Sequence, residues 1–140
     1  GKTKDLLQIK QLKRPFDIPA YGLSCDLVWS DPDEDHKGWS QNTRNLSFTF
    51  GNDIVLDFCR QMNVAMIVRG HQTKYKKSKS IPRRGYRFFA GSRLLTLFSV
   101  PNYMGMAKNE GTVLSVDPNM SCQFEILKPT RQLALTYNNS

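Results

Sequence analysis

Apolar residues recur along the chain at two different spacings, and the two predict different elements. In Leu46-Ser-Phe-Thr-Phe50 they alternate with polar ones, the period of a half-buried strand, and Gly51-Asn52 ends the run. Just beyond, Ile54, Phe58 and Met62 stand at i, i+4 and i+8, which predicts a helix capped by Asn52, running to about Met62, with one apolar face. Ala65 to Val68 reads as a short buried strand ending at Arg69-Gly70-His71. From Tyr86 onward the pattern is strand after strand. The expected strands are Tyr86 to Phe89, Leu94 to Ser99, Thr112 to Val116 and Cys122 to Leu127, broken at Gly91-Ser92, Asn102, Gly105, Gly111 and Pro118-Asn119. Asp5 to Gln11 predicts a helical turn before Pro15, and Asp31 to Gly38 a polar loop. These readings give an α/β chain of the α+β kind that ends in an antiparallel meander.

Composition narrows the class. The chain has 140 residues, 39% hydrophobic and 11% aromatic, which is one domain's worth of globular sequence and too rich in core formers for a disordered tail. Its longest apolar run, Leu94 to Val100, falls far short of the roughly 20 residues that a membrane span needs. Gly1-Lys2-Thr3-Lys4 shows neither an initiator Met nor a leader pattern, so the chain reads as a cut piece. Cys25, Cys59 and Cys122 are odd in number, far apart and without a C-x-x-C pair, so neither a disulfide framework nor a zinc site is expected, and a reduced cytoplasmic or nuclear setting is.

The net charge of +8 is local. Lys74, Lys76, Lys77, Lys79, Arg83 and Arg84 lie within one segment without an acid, and removing those six from the 20 basic residues leaves 14 against 12 acidic ones. The segment reads either as a solvated loop or as a patch for an acidic or phosphate-bearing partner. Nucleic acid is the weaker option, because only Tyr75 interleaves the charges.

Several generic motifs fail on their chemistry. Asp31-Pro-Asp-Glu-Asp35 has the alternate acids of a calcium loop, but His36 stands where the turn needs Gly and Asn42 where it needs a bidentate Glu. There is no G-x-x-x-x-G-K, G-x-G-x-x-G or G-x-S-x-G sequence, so P-loop, dinucleotide and serine-hydrolase readings have no anchor. His36 and His71 are the only histidines. His71 follows a predicted strand directly, where α/β proteins place their sites, and from the residues alone it reads either as a ligand or as an ordinary hydrogen-bonded histidine.

Eight segments in order carry a resemblance. They are Trp29-Ser-Asp-Pro-Asp33, Gly38-Trp39, Asn42-Thr-Arg44, Ser47-Phe-Thr-Phe-Gly51, Arg69-Gly-His-Gln72, Gly85-Tyr-Arg-Phe-Phe89, Leu97-Phe-Ser-Val-Pro-Asn-Tyr103 and Phe124-Glu-Ile-Leu-Lys-Pro129. The chain resembles the metal-dependent phosphoprotein Ser/Thr phosphatases, most closely their type-1 branch, over the C-terminal half of the catalytic domain. The resemblance implies part of a calcineurin-like β-sandwich flanked by helices over residues 1–129, followed by a polar tail, 130–140. It also implies two divalent ions, manganese or iron with zinc, that activate a bridging water. The upstream blocks that carry most of the metal ligands do not occur in this sequence, so His71 alone matches a ligand, and the isolated chain is expected to be inactive.

By the same resemblance, Arg44 clamps the substrate phosphate with its planar fork, Tyr103 borders the site and holds substrate, and Asp31 lines it near the metal-bound water. For Asp31 a plain turn role before Pro32 stays open. Met66, Phe88, Met120, Cys122 and Phe124 match a groove that docks regulatory subunits bearing Arg-Val-x-Phe-like motifs, with a plain core as the alternative for each. Phosphoserine and phosphothreonine proteins are the implied substrates. Arg87, Lys108 and the basic segment shift the surroundings toward positive charge, which points to acidic substrates. Asn45 stands where the family has Gly, and Asn is the mildest replacement if the backbone there has positive φ. A competing reading is a non-catalytic homologue that binds regulatory proteins through the groove.

Overall fold

A computed structural model of the chain describes residues 6–72 and 81–130. The polar tail from 131 onward and the basic stretch Lys74 to Lys79 lie outside the described residues. The fold is mixed α/β and divides into two compact units, Gly1–Ile67 with Phe89–Leu94, and Val68–Phe88 with Leu95–Ser140.

The first unit opens with α1 (Leu6–Lys10), the expected turn, and α2 (Leu23–Trp29), which the pattern of apolar residues does not predict. Only Cys25 of α2 is buried while Leu27 and Val28 are exposed, so the helix lacks the apolar stripe by which a sequence announces one. Strands β1 (Asp31–Pro32), β2 (Trp39–Gln41) and β3 (Phe48–Phe50) form a sheet of order β1-β3-β2, with β1 parallel and β2 antiparallel to β3. Asp31 to Asp33 are therefore a buried edge strand and its continuation, not the solvated loop that their polarity predicts. Asp33 extends the pairing by donating its N–H to the Phe50 carbonyl at 2.9 Å.

Strand β3 keeps the expected period but inverts its sense. Thr49 is buried, whereas Phe48 is exposed and joins Phe50 around Trp39, with ring centroids 6.1 and 5.7 Å away. Helix α3 (Asn52–Met62) has the predicted length, but Gly51 is its cap and Asn52 its first helical residue. Its buried line is Val55 and Cys59, with Ile54, Phe58 and Met62 half-buried beside it. A small thiol and a valine let the helix sit close against Phe89, Ala90 and Leu94, which complete the core of this unit.

Strands β4 (Ile67–Arg69), β5 (Tyr86–Phe89) and β6 (Leu94–Leu97) form a sheet of order β4-β6-β5. In the central β6, Leu94, Leu95 and Thr96 are buried in succession, as expected where both strand edges and both faces are covered. The edge strand β4 is less buried than its apolar run predicts, with Val68 exposed. Strands β7 (Gly111–Val116) and β8 (Cys122–Leu127) form a separate antiparallel hairpin from Gly111 opposite Leu127 to Val116 opposite Cys122. The predicted meander is thus divided. A loop from 98 to 110, holding the 3-10 turn Tyr103–Gly105, intervenes because Pro101 and the left-handed Asn102 (φ 46°) stop the extended run.

Gly85 fixes the turn that leads into β5. Its φ is +72°, and a Cβ there would stand 2.6 Å from the Glu110 carbonyl oxygen and 2.7 Å from that of Phe98, so backbone crowding and handedness both require glycine.

Candidate phosphate-binding site

In the first unit, the loop between β2 and β3 is organised by Asn42, whose exposure is 3%. Its Oδ1 accepts the Arg44 backbone N–H at 3.0 Å, and its backbone carbonyl accepts the Asn45 N–H at 3.1 Å. Asn45 takes φ 55° and Ser47 φ 58°. The positive φ anticipated at Asn45 is thus present, at a residue type that tolerates it. The Nδ2 group donates toward Asp31 Oδ2 at 3.2 Å, the Trp29 carbonyl at 3.3 Å and, most weakly, the Phe48 carbonyl at 3.5 Å.

Asp31 is 6% exposed, and its Oδ2 also accepts Arg44 Nε at 2.9 Å. One guanidinium edge is consumed by this ion pair, while the side chain keeps 33% of its surface and its Nη atoms make no hydrogen bond to another described residue. Because guanidinium does not lose its proton in proteins, the outer edge presents paired donors and a permanent positive charge.

The far end of the loop is tied to α2. Ser47 Oγ donates to Asp26 Oδ1 at 2.8 Å; since a hydroxyl has one proton, Ser30 is the donor in the 2.8 Å Ser30–Ser47 contact. Sequence reasoning quoted Asn42 inside the Asn42-Thr-Arg44 segment but gave neither it nor this serine pair a role in the site. A polar residue three positions before a positive-φ candidate, able both to donate and to accept, was the available signal.

In the second unit, His71 follows β4 with φ 75°, a left-handed conformation that histidine adopts more readily than most residues. Its neighbour Gln72 is buried and accepts Arg69 Nη1 at 3.2 Å through Oε1. Tyr103 starts the 3-10 turn, half-buried, with its ring edge-on to Phe98 at 5.1 Å. Its backbone N–H is bound at 3.0 Å by Oδ1 of Asn109, a residue 2% exposed whose Nδ2 reaches the carbonyls of Val100 (2.8 Å) and Glu110 (2.9 Å).

Four of the docking candidates also fall in this unit. Phe88 and Phe124 meet at 6.1 Å, and Tyr86, which the sequence reading left out, stacks on Phe124 at 4.3 Å. Its position two residues before Phe88 on the same strand could have revealed it. Met120, at 76% exposure, lies in the turn of the β7–β8 hairpin, and the exposed Cys122 opens β8 just after it. Met66, half-buried, belongs to the first unit.

A family model for calcineurin-like phosphoesterases matches residues 1–75, which contain Asp31, Asn42, Arg44 and His71. The chain belongs to the calcineurin-like phosphoesterase family. It is also similar to the solved structure of a protein serine/threonine phosphatase from Saccharomyces cerevisiae with similarity to human phosphatase PP5, at a TM-score of 0.75 and 25% identity. The match covers 91% of this chain and 40% of the yeast chain, so the chain spans about two-fifths of that protein.

Calcineurin-like phosphoesterases are hydrolases that work with divalent metal ions. Among the described residues, no three His, Cys, Asp or Glu side chains cluster as a metal site requires. This donor set does not fit a two-ion centre, since each ion needs several oxygen or nitrogen ligands. What the described residues do provide is an oriented guanidinium.

Proposed function

We propose that the chain is part of a protein serine/threonine phosphatase, in which Arg44 binds the phosphate of phosphoserine and phosphothreonine residues. The observation that carries this reading is the buried Asp31 carboxylate holding Arg44 Nε while the opposite guanidinium edge stays open. Two parallel N–H donors match two phosphate oxygens, and charge assistance makes such bonds about twice as strong as neutral ones. The same contact stabilises charge on those oxygens as the ester is cleaved. The yeast phosphatase supports the substrate class. In this reading His71 contributes one imidazole to a metal centre completed by ligands outside this chain, with manganese or iron and zinc as the ions, and Tyr103 contacts substrate. The 140 residues alone have negligible turnover, because one histidine cannot retain two ions. Work in the cytoplasm or nucleus on acidic phosphoproteins completes the proposal.

A second reading is supported by the half-exposed aromatic group of Tyr86, Phe88 and Phe124, the last on the same strand as Cys122. Such a surface would accept extended regulatory segments with an aromatic anchor, without catalysis. The coding sequence upstream of Gly1 separates the readings. In-frame metal-binding aspartates, asparagine and histidines support the phosphatase, and a transcript that starts near Gly1 leaves the docking role. With the full-length product and manganese, Arg44→Ala is expected to lower kcat/KM on a phosphoserine peptide by roughly 100-fold. An unchanged value refutes the role of Arg44, and a preference for basic over acidic peptides refutes the substrate preference.

A further inference from the structure

We infer that Asn42 is the positioning residue that aims Arg44 at phosphate; this rests on the proposal that Arg44 is the phosphate-binding group. Asn42 and Arg44 are joined through a closed ring of contacts. The Arg44 backbone N–H donates to Asn42 Oδ1 at 3.0 Å, Asn42 Nδ2 donates to Asp31 Oδ2 at 3.2 Å, and the same oxygen accepts Arg44 Nε at 2.9 Å. One amide thus fixes both ends of the arginine: the main chain directly, and the guanidinium through the carboxylate that holds it. Only a side chain with a donor and an acceptor on one planar group can do this at that length. Aspartate would keep the shape but set a second carboxylate against Asp31, and alanine would leave the Asp31 carboxylate and the Arg44 N–H each short of a partner.

The ring also has an anchor. Asn42 Nδ2 reaches the Trp29 carbonyl at 3.3 Å, at the end of α2, and the Asn42 N–H donates to the Ser47 carbonyl at 3.4 Å across the loop. The aim of the guanidinium is therefore referred to the buried start of β1 rather than to the exposed loop tip. A preoriented cation loses less rotamer freedom when an anion arrives, so the expected gain is in affinity for phosphate. Asp31 serves the same purpose as the intermediate link.

The test is inorganic phosphate binding by the 140-residue chain, followed through the 15N–1H signal of Arg44 Nε, which Arg44→Lys identifies by removing it. In the unsubstituted chain that signal should exchange slowly with water before phosphate is added and should shift on titration. Asn42→Ala should make it exchange at the rate of a free arginine and weaken phosphate affinity about tenfold, with no further loss when combined with Arg44→Ala. If Arg44→Ala leaves phosphate affinity unchanged, the parent reading fails and this inference with it. If Arg44→Ala weakens binding but Asn42→Ala changes neither affinity nor exchange, Arg44 keeps its role and Asn42 loses its own. Equal losses from Asn42→Ala with and without Arg44 would show a general structural effect and overturn the inference. Should Asn42→Ala not fold, the unsubstituted chain decides, because free-arginine exchange of Nε–H there contradicts the ring.

Discussion

Asn42 and Asn109 are both buried, and both hold the loop of a proposed site residue, yet their partners differ in kind. Asn42 in the first unit binds a carboxylate besides its backbone partners, and so couples the loop to a charged pair. Asn109 in the second unit spends its whole side chain on backbone: the carbonyls of Val100 and Glu110 and the Tyr103 N–H. The first arrangement sets the direction of a charge; the second sets the course of the chain. An amide suits both tasks because it carries donors and an acceptor in one plane and costs no ionisation to bury.

The largest effect should come where the asparagine bonds are shortest and all go to main chain. Asn109→Ala removes the side-chain partner of three part-buried backbone groups and is expected to cost about 3 kcal/mol, read as a lower urea midpoint. A midpoint shift smaller than that of Asn42→Ala would reverse the contrast between the two loops. For Asn42→Ala the expectation is about 2 kcal/mol, since its contacts are longer and one end of the ring is partly solvated. Here the distinguishing result is that phosphate affinity falls as well.

Tyr103→Ala is expected to remove about 1 kcal/mol by loss of its edge-on contact with Phe98, leaving the Asn109 bonds in place because they reach only the Tyr103 main chain. Near-UV dichroism with urea melts would check this; a loss as large as that of Asn109→Ala would mean that the ring, not the amide, organises the loop.

The smallest effect belongs to the first unit's core. Burial pushes the Cys59 thiol above its ordinary pKa, against a smaller lowering by Arg93, and Sγ lies 3.8 Å from the Arg93 carbonyl. Above the ordinary thiol range the unfolded chain loses this proton while the folded chain keeps it. The stabilising contribution is thus whole below that range and is lost as pH rises through it toward the folded value. Melting at pH 7 to 10 should show a slightly steeper alkaline decline in the unsubstituted chain than in Cys59→Ala, and parallel declines would contradict the assignment.

The parts of the fold legible in the residues were those whose burial is local. Helix α3 and strands β5, β7 and β8 lie close to where their spacing puts them, since one covered face leaves its period in the chain. Reading failed where burial came from elsewhere. The polar run at Asp31 is buried because it pairs with β3, and α2 has no apolar stripe because only Cys25 is covered. In the inverted β3 the exposed Phe48 groups with Trp39, while Phe50 touches both Trp39 and the edge of the core.

Of the candidate site, the residue types were readable and the relation between them was not. The sequence alone determined the family resemblance, the locally concentrated positive charge and the identities of Arg44, Asp31, His71 and Tyr103, because motif order and composition survive without folding. Only tertiary structure decided that Asp31 holds Arg44, that Asn42 closes the ring between them, and that Asn109 governs the Tyr103 loop. Hydrogen bonds between residues 6 to 13 positions apart depend on how the backbone turns in the interval. That course is set by strand pairing and positive-φ turns, which no one-dimensional period records.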